Sequence, residues 1–132
     1  MIGIDLDIVR LFLHVLAATV WVGGQITLAA LVPALRDAGA AAPKAAARAF
    51  NRIAWPAFGV LLLTGVWNVV AQDDTDAAYD RTLMLKYTLV LVSGVTAFLH
   101  TRARSRGAVA AFGALTGLSA IATLFVGIQL AS

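Results

Sequence analysis

LFLHVLAATVWVGGQITLAALVPAL, residues 11–35, contains no charged side chain. It exceeds the ~20 residues that an α-helix needs to cross the hydrocarbon core of a bilayer, and it decides the fold. Residues 53–72 and 107–132 are equally free of charge. One more apolar stretch lies between Arg81 and Arg102 and reaches full length only if Lys86 is enclosed. The chain is therefore expected to cross the membrane four times, at about 10–34, 47–71, 82–101 and 108–131. Short connections make sequential helices antiparallel neighbours. The expected fold is an all-α membrane protein, an antiparallel four-helix transmembrane bundle forming one domain over residues 1–132. The first span does not read as a cleaved signal, because Asp5 and Asp7 precede it where a signal would be basic.

Composition points the same way. Of the 132 residues, 61% are hydrophobic and 13% are charged, and the mean hydropathy is +0.87. A soluble domain of this size cannot hide so much apolar surface. The same composition excludes intrinsic disorder. There is no cysteine, which removes disulfides, zinc ribbons, iron–sulfur clusters and thiol catalysis. The isoelectric point of about 10.0 raises the question of nucleic acid, and the placement of the charges answers it. Arg36, Lys44, Arg48 and Arg52 fall at the connection between spans one and two, and Arg102, Arg104 and Arg106 at that between spans three and four. By the positive-inside rule both connections are expected in the cytoplasm and both termini outside. Asp5, Asp7, Asp73, Asp74, Asp76 and Asp80 then also lie outside. The basic charge is a topology signal facing the lipid bilayer, and no nucleic-acid partner is expected.

The connection AGAAAPKAAARAFNR (38–52) places Pro43 where a helix begins, so the second helix is expected to start near Lys44 and enter the membrane near Ile53. Pro56 is expected to bend it. QDDTDAAYDR (72–81) reads as an acidic outer loop. The chain has no internal repeat, nucleotide motif or Ser/His/Asp arrangement, and catalytic residues cannot be assigned.

Polar side chains inside spans are the main functional signal in a membrane protein. His14 lies four residues inside Arg10, or ~6 Å at the helical rise, Lys86 ~7–8 Å inside Arg81, and Asn68 ~6 Å inside Gln72. Three spans thus bring His14, Lys86 and Asn68 to one level in the outer third. His14, Trp21 and Gln25 share a helix face, as do Thr64 and Asn68, and so do Lys86, Ser93 and His100. Arg48, Asn51, Arg52 and His100 form an inner group. His100 lies ~21 Å along the helix from Lys86. His14 and His100 are therefore near opposite faces of the membrane, and the pair at matching depth is His14 with Lys86. Gly23, Gly24, Gly59 and Gly65 permit close helix packing, and Gly24 beside Trp21 also leaves room for a flat ligand. Gly113 and Gly117 are candidates for packing in the bundle or for a homodimer.

These residues carry a resemblance. LHVLAATVWVGGQ (13–25) resembles the first helix of the copper resistance protein D (CopD) family. ARAFNRIAWPAFGVLLLTGVWN (47–68) resembles its second, with Arg48, Phe50, Thr64, Gly65 and Asn68 in the family pattern. LMLKYTLVLV (83–92) resembles its third, with Lys86 as the marked lysine, while the fourth span matches only in being apolar. The first-span His seven residues before a Trp, and the third-span Lys, are also similar to HemJ-type protoporphyrinogen oxidases, and that likeness implies haem b held by His14 and Lys86. The arginine motif of that second family has no clear counterpart, since Pro33 and Arg36 fall too far on, so the likeness does not extend to protoporphyrinogen oxidation. The CopD resemblance implies a bacterial inner membrane.

Three functions follow as expectations. In the first, haem b sits in the outer half for electron transfer or membrane redox chemistry, with His14 and Lys86 on the iron, Trp21 and Gly24 shaping the pocket and Asn68 at its edge; haem needs only one or two axial ligands and an apolar slot. In the second, the protein takes up or handles copper through His14 and Met84, with a periplasmic copper-binding or redox partner. Copper(I) favours thiolate and thioether, and the chain offers no Cys and only Met1 and Met84, so a single-chain relay is not expected. In the third, the protein is a non-catalytic membrane subunit or assembly partner. The bland counterparts are a His14 bonded to a carbonyl or headgroup, a Lys86 that snorkels outward, a Trp21 in the core, and Trp55 and Trp67 in the aromatic belts.

Overall fold

A computed structural model describes residues 3–132; Met1 lies outside them. Four helices are long and apolar enough to cross a membrane: α1 (Leu6–Ala38), α2 (Ala42–Val70), α3 (Ala77–Arg102) and α4 (Arg106–Ala131). No strand occurs among the described residues. The chain is an all-α, multi-pass integral membrane protein.

The helices begin earlier than the apolar windows, because a window reports lipid exposure and a helix starts at its cap. The Asp5 carboxylate accepts the Ile8 N–H at 2.9 Å, and the Asp76 carboxylate accepts the Tyr79 N–H at 2.7 Å. The Ser105 hydroxyl accepts the Ala108 N–H at 3.1 Å. The acidic stretch at 72–81 is therefore not all loop, since α3 already runs from Ala77. Pro43 stands in the first turn of α2, as expected, and the helix continues through Pro56. Gly39 ends α1 at φ +158°, a conformation glycine reaches without a Cβ penalty.

One local feature has no sequence signature. Thr19–Gly23 forms a π-helical turn inside α1. Such a turn winds in an extra residue, so side chains beyond it are set back around the axis relative to an unbroken α-helix.

Packing divides the chain into two compact units, 1–73 and 74–132. Each is a helical hairpin. In the first, α1 runs antiparallel to α2 across the 39–41 connection, with Ala17, Trp21, Val22, Ala54 and Thr64 buried. In the second, α3 runs antiparallel to α4 across 103–105. Its buried residues are Ser93, Gly94, Thr96, Thr116, Ser119, Ala120 and Val126. Small and hydroxyl side chains thus lie inside, while Leu63, Val70, Leu118 and Phe125 face outward. This ordering suits lipid as solvent. Hydrocarbon gives no reason to hide leucine, so close backbone approach and hydrogen bonds decide what packs inside.

Candidate functional site

His14 is half-buried on α1 and meets α2 at Thr64. His14 Nδ1 lies 2.8 Å from Thr64 Oγ1, and Thr64 Oγ1 in turn lies 2.6 Å from the Val60 carbonyl. Thr64 Oγ1 thus has two close contacts, the imidazole of α1 and a carbonyl of its own helix. Gly65 lies beside the ring; a Cβ there would stand 3.7 Å from His14 Cε1, an ordinary contact. Thr64 is 4% exposed, so the contact is buried on the α2 side and half-buried at His14.

Trp21 is buried against two rings of α2. Its centroid lies 4.5 Å from that of Phe58 and 5.5 Å from that of Trp55, the latter edge-on. Trp55, expected in an interfacial belt, joins this cluster, whereas Trp67 is 41% exposed. Gly24 is filled as well: a Cβ there would collide with the Phe50 ring. The face of α1 that carries Trp21 and Gly24 is thus covered by aromatic side chains of the same hairpin. Asn68 is half-buried one turn beyond Thr64, on the same face of α2. Gln25, just after the π-turn, has a buried Nε2 with no hydrogen-bond partner among the described residues.

Lys86 belongs to the second hairpin. Its side chain crosses to α4, where a Cβ at Gly127 would stand 3.5 Å from Nζ and 3.6 Å from Cε. Met84, two residues earlier, is 63% exposed and turned away from the hairpin core. Seven residues beyond Lys86, the Ser93 hydroxyl donates to the Thr116 carbonyl at 3.3 Å. Thr116 Oγ1 and Thr96 Oγ1 are 2.9 Å apart, and Ser119 and Thr123 continue the hydroxyl stripe along α4. At the far end His100 Nδ1 donates to the Val109 carbonyl at 2.9 Å, its ring lying over Gly113. Lys86, Ser93 and His100 therefore share the face toward α4, as their spacing predicts. Gly113 is occupied inside the hairpin by His100, and nothing lies within 4 Å of a Cβ at Gly117.

The spacing of His14, Lys86 and His100 does not reveal their seats: Thr64 as the partner of His14, Gly127 beneath Lys86 and Gly113 beneath His100. The hydroxyl stripe was legible in principle, because Thr116, Ser119 and Thr123 recur at helical spacing in the most apolar segment. Among the described residues no three His, Cys, Asp or Glu side chains converge on a possible metal position.

A family model described as copper resistance protein D matches residues 44–131, two thirds of the chain. The match covers α2 from its first turn, all of α3 and α4, and so includes Thr64, Asn68, Lys86 and His100. It extends over the fourth span, where the motif reading saw apolarity alone, and does not include His14. No curated protein and no solved structure matches the chain.

Proposed function

The chain belongs to the copper resistance protein D family, and from that premise we propose that it handles copper as cargo in a bacterial inner membrane, with the His14 imidazole as its nitrogen donor. The observation that carries this is the anchored ring: Nδ1 lies 2.8 Å from Thr64 Oγ1, which fixes an imidazole, the commonest protein metal ligand, against α2. Copper(II) accepts imidazole readily. One imidazole is an incomplete site. The remaining donors come from outside the first hairpin, from a second copy or a periplasmic copper-binding partner. Met84, at 63% exposure, is open to such a partner.

A second reading, haem b with His14 and Lys86 as axial ligands, is favoured by the same anchored imidazole, since haem requires few protein ligands. The first hairpin does not fit it at Trp21 and Gly24, which are covered by Phe50, Trp55 and Phe58. A haem slot shaped by those two residues would have to displace them. A non-catalytic subunit remains the reading if neither cargo nor cofactor is found.

The test is the composition and colour of the purified protein, together with cellular copper. Copper retained by the wild type and lost in His14→Ala, but kept in His100→Ala, supports the proposal, as does altered copper accumulation in cells lacking the protein. A Soret band that vanishes in His14→Ala would transfer the site to haem. Absence of bound copper, with unchanged copper tolerance under excess and limitation, overturns the copper reading.

A further inference from the structure

We infer that Arg48 and Arg52 hold the phosphate of an anionic phospholipid in a shallow groove on the face of α2 turned away from α1. An acyl chain of that lipid lies along the apolar track that continues from the groove.

The groove is a product of helical spacing. Arg48 and Arg52 are four residues apart, as are Ala45 and Ala49, so the four share one face of α2. All four are exposed, and together they line a cleft of about 260 Å³. Two alanine methyls leave the space, and two guanidinium groups supply the charge. The opposite face of α2 is spent on α1: Ala54 is 1% exposed, and the Phe50 ring lies against Gly24. The partner helix of the hairpin therefore does not cover the groove.

Charge decides what can fill it. No carboxylate among the described residues pairs with Arg48 or Arg52; the ion pair in this hairpin joins Arg10 to Asp7, at the start of α1. Lys44, one turn before Arg48, is exposed and adds positive charge beside the groove. A guanidinium group presents a planar fork of donors that matches the oxygens of a phosphate. Basic residues next to a span are drawn to anionic lipid.

The apolar track identifies the source of that phosphate. Uncharged sequence begins at Ile53, directly after Arg52. On the face of the two arginines the helix goes on through Pro56, Val60 and Leu63, all exposed. From Arg52 to Leu63 is ~16 Å at the helical rise, about half the hydrocarbon core and so the depth of one leaflet. Phosphate-binding groups thus stand over a lipid-facing strip on one helix, the amphiphilic order of a phospholipid. A free phosphate ion has no use for the strip.

The test is native mass spectrometry of the full chain in detergent, titrated with equal amounts of phosphatidylglycerol and phosphatidylcholine. The wild type should retain phosphatidylglycerol in preference. Arg48→Gln and Arg52→Gln should each lower that preference roughly fivefold, the usual worth of one basic residue facing anionic lipid. Ala49→Leu keeps every charge and fills the groove, so it should lower the preference too, and it carries the test if an arginine variant fails to fold. The double variant Arg102→Gln/Arg104→Gln removes equal charge from the second hairpin and should leave the preference unchanged, as should excess inorganic phosphate. A wild type without preference for phosphatidylglycerol overturns the inference. Equal losses in the double variants of the two hairpins would mean that net charge alone acts, and would overturn the groove. Displacement by inorganic phosphate would overturn lipid as its occupant.

Discussion

Added methyl groups at Gly24 and Gly65 have opposite expected effects, although both glycines lie in spans and read alike in the sequence. At Gly24 the methyl would enter the Phe50 ring, held between two helices. At Gly65 it would make ordinary contact with His14. Gly24→Ala should therefore destabilise the first hairpin by about 1–3 kcal/mol, the usual range for overpacking, while Gly65→Ala should unfold close to wild type. Denaturation of the two variants in mixed micelles, followed by tryptophan fluorescence, checks this; equal stability would mean that Phe50 moves aside freely. Lys86 offers a second comparison at this scale. Its amine rests where Gly127 has no side chain, so Gly127→Leu must displace it, whereas nothing lies within 4 Å of a Cβ added at Gly117. Only Gly127→Leu should lower thermal stability in detergent, and equal losses would remove the role given to Gly127. The sequence marks these glycines as special but not what fills them, because the filling residue comes from another helix.

At the scale of the helix, Pro43 was readable as a first-turn residue and the π-turn was not. Asp5, Asp76 and Ser105 are short polar side chains that bond the N–H three residues on, a local rule that needs no tertiary knowledge. TVWVG at 19–23 contains no proline, and nothing in its composition separates a wide turn from an α-helical one. The turn lies between His14 and Gln25, whose shared face was inferred for an unbroken helix. The second hairpin carries a seam of hydroxyl side chains on its inner face. Thr96 and Thr116 meet side chain to side chain at 2.9 Å, yet each also has a carbonyl one turn back in its own helix within reach, so the one proton of Thr116 is shared between Thr96 and the Phe112 carbonyl. Removing one partner leaves the other satisfied, so the pair should be worth little. A double-mutant cycle with Thr96→Val and Thr116→Val should give a coupling of about 0.6 kcal/mol, the average for hydrogen bonds between helices in membranes. Coupling above ~2 kcal/mol would show that the intrahelical bonds do not compensate.

For the molecule as a whole, hydropathy gave the number of spans and their approximate limits, but not which faces pack. In water the buried face of a helix is its apolar face, so pattern reveals packing. In lipid both faces are apolar, and the informative residues are the few small and polar ones. The charge pattern still carries one global statement. Seven of the ten Lys and Arg residues flank the two connections inside the hairpins. Anionic lipid and the membrane potential favour the cytoplasmic side for such clusters, so both connections are predicted to lie there. Alkaline phosphatase fused after Ser132 should therefore be active in bacterial cells, while a fusion placed within 39–41 or 103–105 should be inactive, with a cytoplasmic fluorescent reporter giving the reverse pattern. Replacing Arg102, Arg104 and Arg106 together by Gln should weaken the preference at 103–105 more than at 39–41, because the first connection keeps its own four basic residues. If the fusion after Ser132 is inactive and the connections are outside, the orientation is inverted. His14, four residues from Arg10 at the start of α1, would then face the cytoplasm, and a periplasmic copper carrier could not be the partner that completes its site.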